Sequence, residues 1–278
     1  MPVIYQMSGT LNDWQKAMAR FCTNNASMML FVSAAFAGPL LEKVNAAGGG
    51  IHLYGDSSSG KTTLLSVARS VWGGDNFTRS WKATANGMEG AAMIYNDTLL
   101  PLDEISEADP KEISCITYSL FNGQGKQRAL ISGKAKEVQR WRTMVLSTGE
   151  ESLEDYLSTH NLSINAGQEL RLVGIPVAGR YGVFNDLHGF RNGREFSDAL
   201  VAASKKNYGV AGQEFLSKLV ACKHDFLQEQ IQIEQHFSIN SLSSQVARVA
   251  TPQLDNRVRC CQMFCLSAQT PPHASLFS

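Results

Sequence analysis

One octapeptide constrains the fold more than any other part of the chain. Residues 55–62 read GDSSSGKT, which fits the phosphate-binding pattern G-x-x-x-x-G-K-[S/T]. An apolar run at 50–54 precedes it and predicts a short buried strand, and apolar residues at helical spacing follow it as far as Trp72. Because strand, glycine-containing loop and helix are the context that this motif requires, the sequence predicts a site for a nucleoside triphosphate such as ATP.

The motif assigns a role to each of its polar groups. Backbone N–H groups of the loop and of the helix N-terminus would surround the polyphosphate. Lys61 would reach the β- and γ-phosphates, and the Thr62 hydroxyl would ligate Mg²⁺. The predicted nucleotide-binding residues are Gly55, Ser57, Ser58, Ser59, Gly60, Lys61, Thr62 and Thr63.

Hydrolysis requires a second strand that ends in acidic residues, and the sequence of residues 98–104 predicts such a strand. Asp103, at its carboxyl end, is expected to bind Mg²⁺, while Glu104 would orient and deprotonate the attacking water. Pro101 argues against a regular central strand, because proline cannot donate to a β-ladder. Glu89, which lies between the two motifs, is the rival candidate for the catalytic base.

The next apolar strand, at 144–148, ends in hydroxyl side chains. Thr148 is predicted to face the γ-phosphate and the lytic water, with Ser147 as the alternative. A plain polar turn at this point is the interpretation without catalytic consequence.

Residues 123–142 form the one strongly basic region of a chain whose formal net charge is zero. Its cations are Lys126, Arg128, Lys134, Lys136, Arg140 and Arg142. Such a region could contact a nucleic-acid backbone. It could also supply an arginine, Arg128, to the γ-phosphate of a neighbouring subunit, a role for which Arg171 and Arg180 are further candidates. A solvated charged face is the remaining alternative.

Strands alternating with helices predict an α/β fold of the RecA/AAA-like P-loop NTPase class, with a mainly parallel sheet covered by helices. We expect an N-terminal helical segment at 1–49, the NTPase core at 50–184, a C-terminal helical region at 185–251 and an irregular tail at 252–278. Thr10 and Asp109 are the predicted N-caps of helices at about 11–22 and 110–121, and a strand is possible at 79–84. Further helices are predicted at about 195–206, 212–236 and 241–249. Cys260, Cys261, Cys265 and His273 could be imagined as a zinc site, but their spacing fits no standard metal module.

Composition indicates the class of protein and its cellular location. An apolar fraction of 44% and a charged fraction of 18% describe a globular protein with an ample core. The longest apolar stretch, 28–41, is short and interrupted, so it predicts a core helix and not a membrane span. The N-terminus lacks the pattern of an export signal, and the six cysteines lack disulfide-framework spacing, which together favour the cytoplasm.

Several separate motifs occur in an order that resembles a known family. They are Gly9-Thr10-Leu-x-x-Trp14, the loop from Gly55 to Thr63, Trp81-x-Ala-Thr-Ala-Asn86-Gly-x-Glu89, Leu102-Asp-Glu104, Asn122-Gly-x-Gly-Lys126-x-Arg128, Trp141-Arg142, Leu146-Ser-Thr-Gly-Glu150, Ala166-Gly-Gln-Glu-x-Arg171 and Phe184-x-x-Leu-His188-Gly. Over about 9–251 the chain resembles the family catalogued as "domain of unknown function 927".

The resemblance implies a helicase-like ATPase of bacteriophages and mobile elements, often adjacent or fused to a Toprim-type primase. A replicative motor of this kind would act as a homo-oligomeric ring on single-stranded or forked DNA. Two features depart from the family: no primase region precedes the predicted motor, and residues from Pro252 onward do not match. We expect a shifted reading frame or a degenerate element at that point.

Other functions also fit the same motifs. A nucleotide-dependent switch or loader would share every catalytic residue with a motor, and a degenerate motor would bind ATP without unwinding DNA. A P-loop kinase for a small molecule is less favoured, because the Asp103–Glu104 pair is what a hydrolase needs and no acceptor-binding lid is evident.

Overall fold

A computed structural model describes residues 4–127, 137–162 and 171–221 of the 278-residue chain. The strands are β1 (Gly49–Tyr54), β2 (Arg79–Ser80), β3 (Leu99–Asp103), β4 (Met144–Gly149) and β5 (Leu172–Pro176). The helices are α1 (Leu11–Ala17), α2 (Ala26–Lys43), α3 (Lys61–Arg69), α4 (Ala85–Ile94), α5 (Pro110–Asn122), α6 (Leu153–Thr159), α7 (Gly193–Lys206) and α8 (Val210–Ala221). Short 3₁₀ turns lie at Ala19–Cys22, Asp75–Phe77 and Ile105–Glu107.

The five strands form one parallel sheet in the order β2-β3-β4-β1-β5. Strand β1, which leads into the P-loop, lies between β4 and β5, with Ile51 opposite Leu146 on one side and Val173 on the other. The carboxyl ends of β1, β3 and β4 therefore meet at one edge of the sheet, where ligands bind in open α/β folds. The predicted α/β fold with a parallel sheet flanked by helices is confirmed.

Pro101 lies inside β3 without breaking it. The Thr98 carbonyl accepts a hydrogen bond from the Met144 N–H in β4, and the Asp103 carbonyl accepts one from the Trp81 N–H on the other side. The backbone N–H and C=O groups of odd-numbered residues in β3 therefore point toward β2. Strand β2 is two residues long and pairs only with Leu102 and Asp103. The nitrogen of Pro101 therefore points beyond the end of β2, where no ladder donor is required.

Helix α2 confirms the predicted core helix, since most of its residues from Met28 to Leu41 are buried. Helices α2 and α3 pack together against β3 and β4. The C-terminal helices return to this layer, because α7 packs on α3 and α8 packs on α1 and α2. Among the described ranges, no helix combines the length and apolar character needed to cross a bilayer.

Side-chain caps begin five of the eight helices named above. Thr10 caps α1 as predicted, and Asp109 with Pro110 begins α5, which ends at Gly123. The predicted helix at 11–22 divides at Met18, whose φ of −137° separates α1 from a 3₁₀ turn. Of the strand expected at 79–84, only two residues form β2. Thr84 instead begins α4, and its side chain accepts a hydrogen bond from the Gly87 N–H.

Two further outcomes concern the helices. Sequence analysis missed α6, which Ser152 caps through the Asp155 N–H. The helix predicted at 195–206 is confirmed by α7, and α8 covers the first part of the helix predicted at 212–236. The rest of that helix, the helix at 241–249 and the tail with its cysteines lie outside the described residues. The boundaries of the four predicted segments stay a prediction.

Candidate nucleotide-binding site

The P-loop joins the carboxyl end of β1 to the N-terminus of α3, as the sequence predicts. Gly60 caps the helix with a φ of +95°, a backbone conformation that glycine adopts without steric cost. Ser57 and Ser58 are exposed, whereas Lys61 and Thr63 are buried at the start of the helix. The N-terminus of α3 adjoins the loop, and a helix N-terminus carries partial positive charge and N–H groups that have no partner within the helix.

The Lys61 ammonium lies inside the loop. Its Nζ donates to the carbonyl oxygens of Gly55 and Asp56, each at 2.7 Å, and to Ser59 Oγ at 3.3 Å. These contacts fix a positive charge, 6% exposed as a residue, at the centre of the loop. The role of Lys61 in phosphate binding stays a prediction.

Three polar side chains from different elements converge beside the loop. Asp103 Oδ1, at the end of β3, accepts from Thr62 Oγ1 at 3.3 Å and from Thr148 Oγ1 at 2.5 Å. Thr62 belongs to the first turn of α3, and Thr148 belongs to β4. The sheet order therefore brings together the predicted metal-binding pair and the predicted γ-phosphate contact.

The chemistry of this cluster fits Mg²⁺. Magnesium prefers hard oxygen ligands, and protein sites commonly provide one or two of them while phosphates and waters complete the shell. The Thr62 hydroxyl and the Asp103 carboxylate would provide two such ligands, and their oxygens lie 3.3 Å apart. Within the described ranges, no group of three or more His, Cys, Asp or Glu residues could hold a metal ion.

Glu104 occupies an uncommon backbone conformation directly after β3. Its φ is +49°, a left-handed value that costs a non-glycine residue about 1 kcal/mol or more and often marks a functional site. Its backbone N–H donates to Thr148 Oγ1 at 3.2 Å, and its Oε1 accepts from Ser106 Oγ at 2.6 Å. Thr148 thus contacts both predicted acids, and Ser106 holds the carboxylate of Glu104.

Ser147, the alternative to Thr148, belongs to a buried network beneath the site. The Trp81 Nε1–H donates to Ser147 Oγ at 2.9 Å, and Ser147 Oγ lies 2.8 Å from Nδ1 of His52. His52 Nε2 lies 2.9 Å from the Glu151 carbonyl oxygen, which can only accept. Nε2 therefore carries the proton, Nδ1 accepts from Ser147, and the hydroxyl of Ser147 is fully used inside the core.

His52 is held neutral. Burial is the main cause, and it lowers the pKa of His52 from its ordinary value of 6.5 to about 4, against the smaller opposing effect of the hydrogen bond to Glu151. Sequence analysis missed this histidine, as well as the contacts of Trp81 and Ser106. The available signal was a single polar residue inside the apolar strand that leads into the P-loop.

The remaining candidate catalytic residues lie elsewhere. The Glu89 carboxylate faces the basic region, where Oε1 accepts from the Lys126 backbone N–H at 3.3 Å. Arg171 precedes β5, at the end of the sheet opposite to the P-loop, and its Nη1 donates to the Phe121 carbonyl and to Asn122. Arg180 is exposed after β5, with its guanidinium 5.3 Å from the Tyr181 ring centroid.

The basic region forms two paired arms in its described part. The Gly125 N–H donates to the Gln139 carbonyl at 2.9 Å, and the Trp141 N–H donates to the Gly123 carbonyl at 3.0 Å. Arg142 is engaged by Asp97, with Nε 3.1 Å from Oδ1. The segment between the arms, with Arg128, Lys134 and Lys136, lies outside the described residues.

Comparison with known proteins agrees with the sequence resemblance. Residues 3–140 match the family described as "Domain of unknown function (DUF927)", and over this range the chain belongs to that family. No curated protein matches the sequence.

The chain is similar over most of its length to a protein whose structure has been solved. It is described as "SCCmec type IV Cch - active helicase", with a TM-score of 0.72 and 20% sequence identity over 95% of this chain and 48% of the other. At this identity the likeness establishes a shared fold, and this chain spans about half the length of that protein. A second structure, "The A form apo structure of NrS-1 C terminal region-CTR", has a TM-score of 0.39 at 11% identity, which is too low to support an argument.

Proposed function

We propose that this chain binds ATP with Mg²⁺ and hydrolyses it, as a helicase-like motor in the DNA replication of a phage or mobile element. The observation that carries the proposal is the convergence of Thr62 and Thr148 on one oxygen of Asp103, beside the P-loop. A phosphate loop alone binds nucleotide, whereas this arrangement adds the acidic strand that hydrolysis requires. The shared fold with a protein described as an active helicase supports the motor.

Each residue of the cluster has a distinct part in this proposal. Lys61 and the first N–H groups of α3 bind the β- and γ-phosphates and stabilise charge on the departing phosphoryl group. Thr62 and Asp103 hold Mg²⁺, which neutralises negative charge on the phosphates when it is bound. Thr148, already hydrogen-bonded to Asp103 and Glu104, keeps the two acids in a fixed relation.

Glu104 is the proposed general base. Its carboxylate would accept a proton from the water that attacks the γ-phosphorus, while the bond to the bridging oxygen breaks and ADP leaves. Glu89 is a weaker candidate, because its carboxylate contacts the basic arm and not the Thr62–Asp103–Thr148 cluster.

Hydrolysis in a ring needs a contribution from the next subunit. Arg171 lies at the end of the sheet opposite to its own P-loop, so it would serve a neighbour's γ-phosphate and not its own. Subunit mixing tests this assignment. Arg171→Ala and Lys61→Ala chains are each expected to be inactive alone and to recover part of the turnover when mixed, and absence of recovery would contradict it.

DNA contact is assigned to the paired arms of the basic region. Lys126 and Arg140 are exposed on these arms, and Trp141 anchors them by burying its ring and donating from Nε1 to the Leu120 carbonyl at 3.0 Å. Replacing either cation with alanine should weaken binding to single-stranded DNA and reduce the salt dependence of affinity by about one phosphate contact. Arg142→Ala is the matched control. Because Arg142 is paired with Asp97, this replacement should leave the salt dependence of DNA affinity unchanged.

Steady-state ATP hydrolysis with and without single-stranded DNA tests the function as a whole. A motor requires turnover that rises with DNA and disappears in Lys61→Ala. The alternative, a nucleotide-dependent switch or a degenerate motor, predicts ATP binding with turnover that DNA does not change. ATP binding without any hydrolysis would contradict the proposed enzyme.

A further inference from the structure

A turn that follows β5 lies directly against the P-loop. We refer to residues 179–184 as the flanking turn. The Val183 N–H donates to the Ser59 carbonyl at 2.9 Å, and just before the turn the Val177 N–H donates to the Tyr54 carbonyl at 2.8 Å. The turn is closed by a hydrogen bond from the Tyr181 N–H to the Phe184 carbonyl at 2.8 Å. Backbone groups of this turn therefore bind the backbone of the phosphate loop.

The contact leaves no room for side chains at its centre. Gly182 has a φ of +72°, and a Cβ placed on it would lie 2.2 Å from the Ser59 carbonyl oxygen. On the opposite side, a Cβ on Gly60 would lie 2.8 Å from Val183 Cγ2. Because real Cβ atoms do not approach a backbone oxygen so closely, any side chain at 182 must displace the P-loop or the turn.

The other side of the flanking turn is fixed to the helical layer. Phe184 is buried, and its ring centroid lies 4.7 Å from that of Phe196 in α7. Immediately after the turn, the N–H groups of Asn185 and Asp186 donate to Oδ1 of the fully buried Asn25, at 2.8 and 3.0 Å. Since the turn is held on this side, we expect that the clash made by a side chain at 182 is relieved mainly by movement of the P-loop.

We propose that Gly182 is a positioning residue for the nucleotide: it sets the backbone of Ser59 and Gly60 so that the phosphate loop is preformed. The inference rests on the proposed nucleotide site. A misplacement of about 1 Å in such a site can change activity by on the order of 100-fold, so a methyl group at 182 should weaken nucleotide binding at least about tenfold. Chain packing on the far side of the turn should be unaffected.

Binding of fluorescently labelled ADP with Mg²⁺ to the full chain tests this inference, with Gly182→Ala compared to Gly189→Ala. Gly189 is the matched control, because its φ is also positive at +90° but a Cβ on it has no neighbour within 4 Å. Both variants carry the backbone strain of alanine at positive φ, and only one touches the P-loop. With both variants assayed well below their unfolding temperatures, we expect an affinity loss of tenfold or more only in Gly182→Ala.

Equal affinity in the two variants would overturn the role of Gly182 while leaving nucleotide binding intact. Absence of binding by the wild-type chain would overturn the proposed function together with this inference. If Gly182→Ala does not fold, the proposal is tested instead by hydrogen exchange of the wild-type protein. The Val183 amide should exchange at least tenfold more slowly with saturating ADP and Mg²⁺, and an unchanged rate would contradict the proposal.

Discussion

The neutral histidine beneath the nucleotide site makes the stability of this protein sensitive to mild acid. His52 has a pKa of about 4 in the folded protein and 6.5 as its ordinary value, so below pH 6.5 the unfolded chain binds more protons than the folded chain. This contribution to stability is fully present above pH 6.5 and is lost as the pH falls toward 4. The full pKa difference corresponds to about 3 kcal/mol.

A comparison at pH 7.5 and pH 5 isolates most of this effect while exposed carboxylates stay largely ionised. With these two pKa values, linkage gives a loss of about 2 kcal/mol from His52 alone at pH 5. His52→Gln removes the titrating group. At pH 7.5 the variant should be less stable by roughly 1–3 kcal/mol, because one or both buried hydrogen bonds of the ring are weakened.

The assay is urea unfolding of the wild type and of His52→Gln at both pH values. The stability advantage of the wild type should shrink by about 2 kcal/mol between pH 7.5 and pH 5. His160→Gln is the control, because it makes the same substitution at an exposed histidine. A wild-type advantage that stays constant within about 0.5 kcal/mol would refute a neutral, desolvated His52.

Two matched pairs of substitutions separate catalytic from structural roles. Glu104→Gln should retain ATP binding and lower kcat by about 10²–10⁴-fold, whereas Glu89→Gln should change kcat much less; the reverse ranking in single-turnover hydrolysis would reassign the base. Thr148→Ala should lower kcat with little loss of ATP affinity, since it releases both acids from a shared hydroxyl. Ser147→Ala should instead lower the free energy of unfolding by about 1–3 kcal/mol, because the Trp81 indole N–H and the Nδ1 atom of His52 each lose a hydrogen-bond partner. An unchanged stability in thermal unfolding would contradict this.

Local pattern was sufficient for the elements that bear the site. The octapeptide and its flanking apolar periods predicted β1, the P-loop and α3, and the caps at Thr10 and Asp109 predicted the starts of α1 and α5. These features depend on neighbours within a few residues, which a sequence displays directly.

Contacts between distant segments could not be read in the same way. Pro101 argued against β3, because the sequence does not reveal that β2 pairs only with Leu102 and Asp103 and so requires no donor from Pro101. Likewise, the choice between Ser147 and Thr148 depends on the strand pairing that puts Ser147 opposite His52. The approach of Gly182 to Ser59 joins segments more than one hundred residues apart, and no local signal marks it.

The most direct test of the account is calorimetric titration of the full chain with ATP, in the presence and absence of Mg²⁺. The account predicts one nucleotide per chain, tighter binding with Mg²⁺, and loss of binding in Lys61→Ala but not in Lys206→Ala, which changes an exposed lysine of α7. Binding that survives Lys61→Ala, or a wild-type chain that binds no nucleotide, would contradict the assignment of this P-loop as an ATP site.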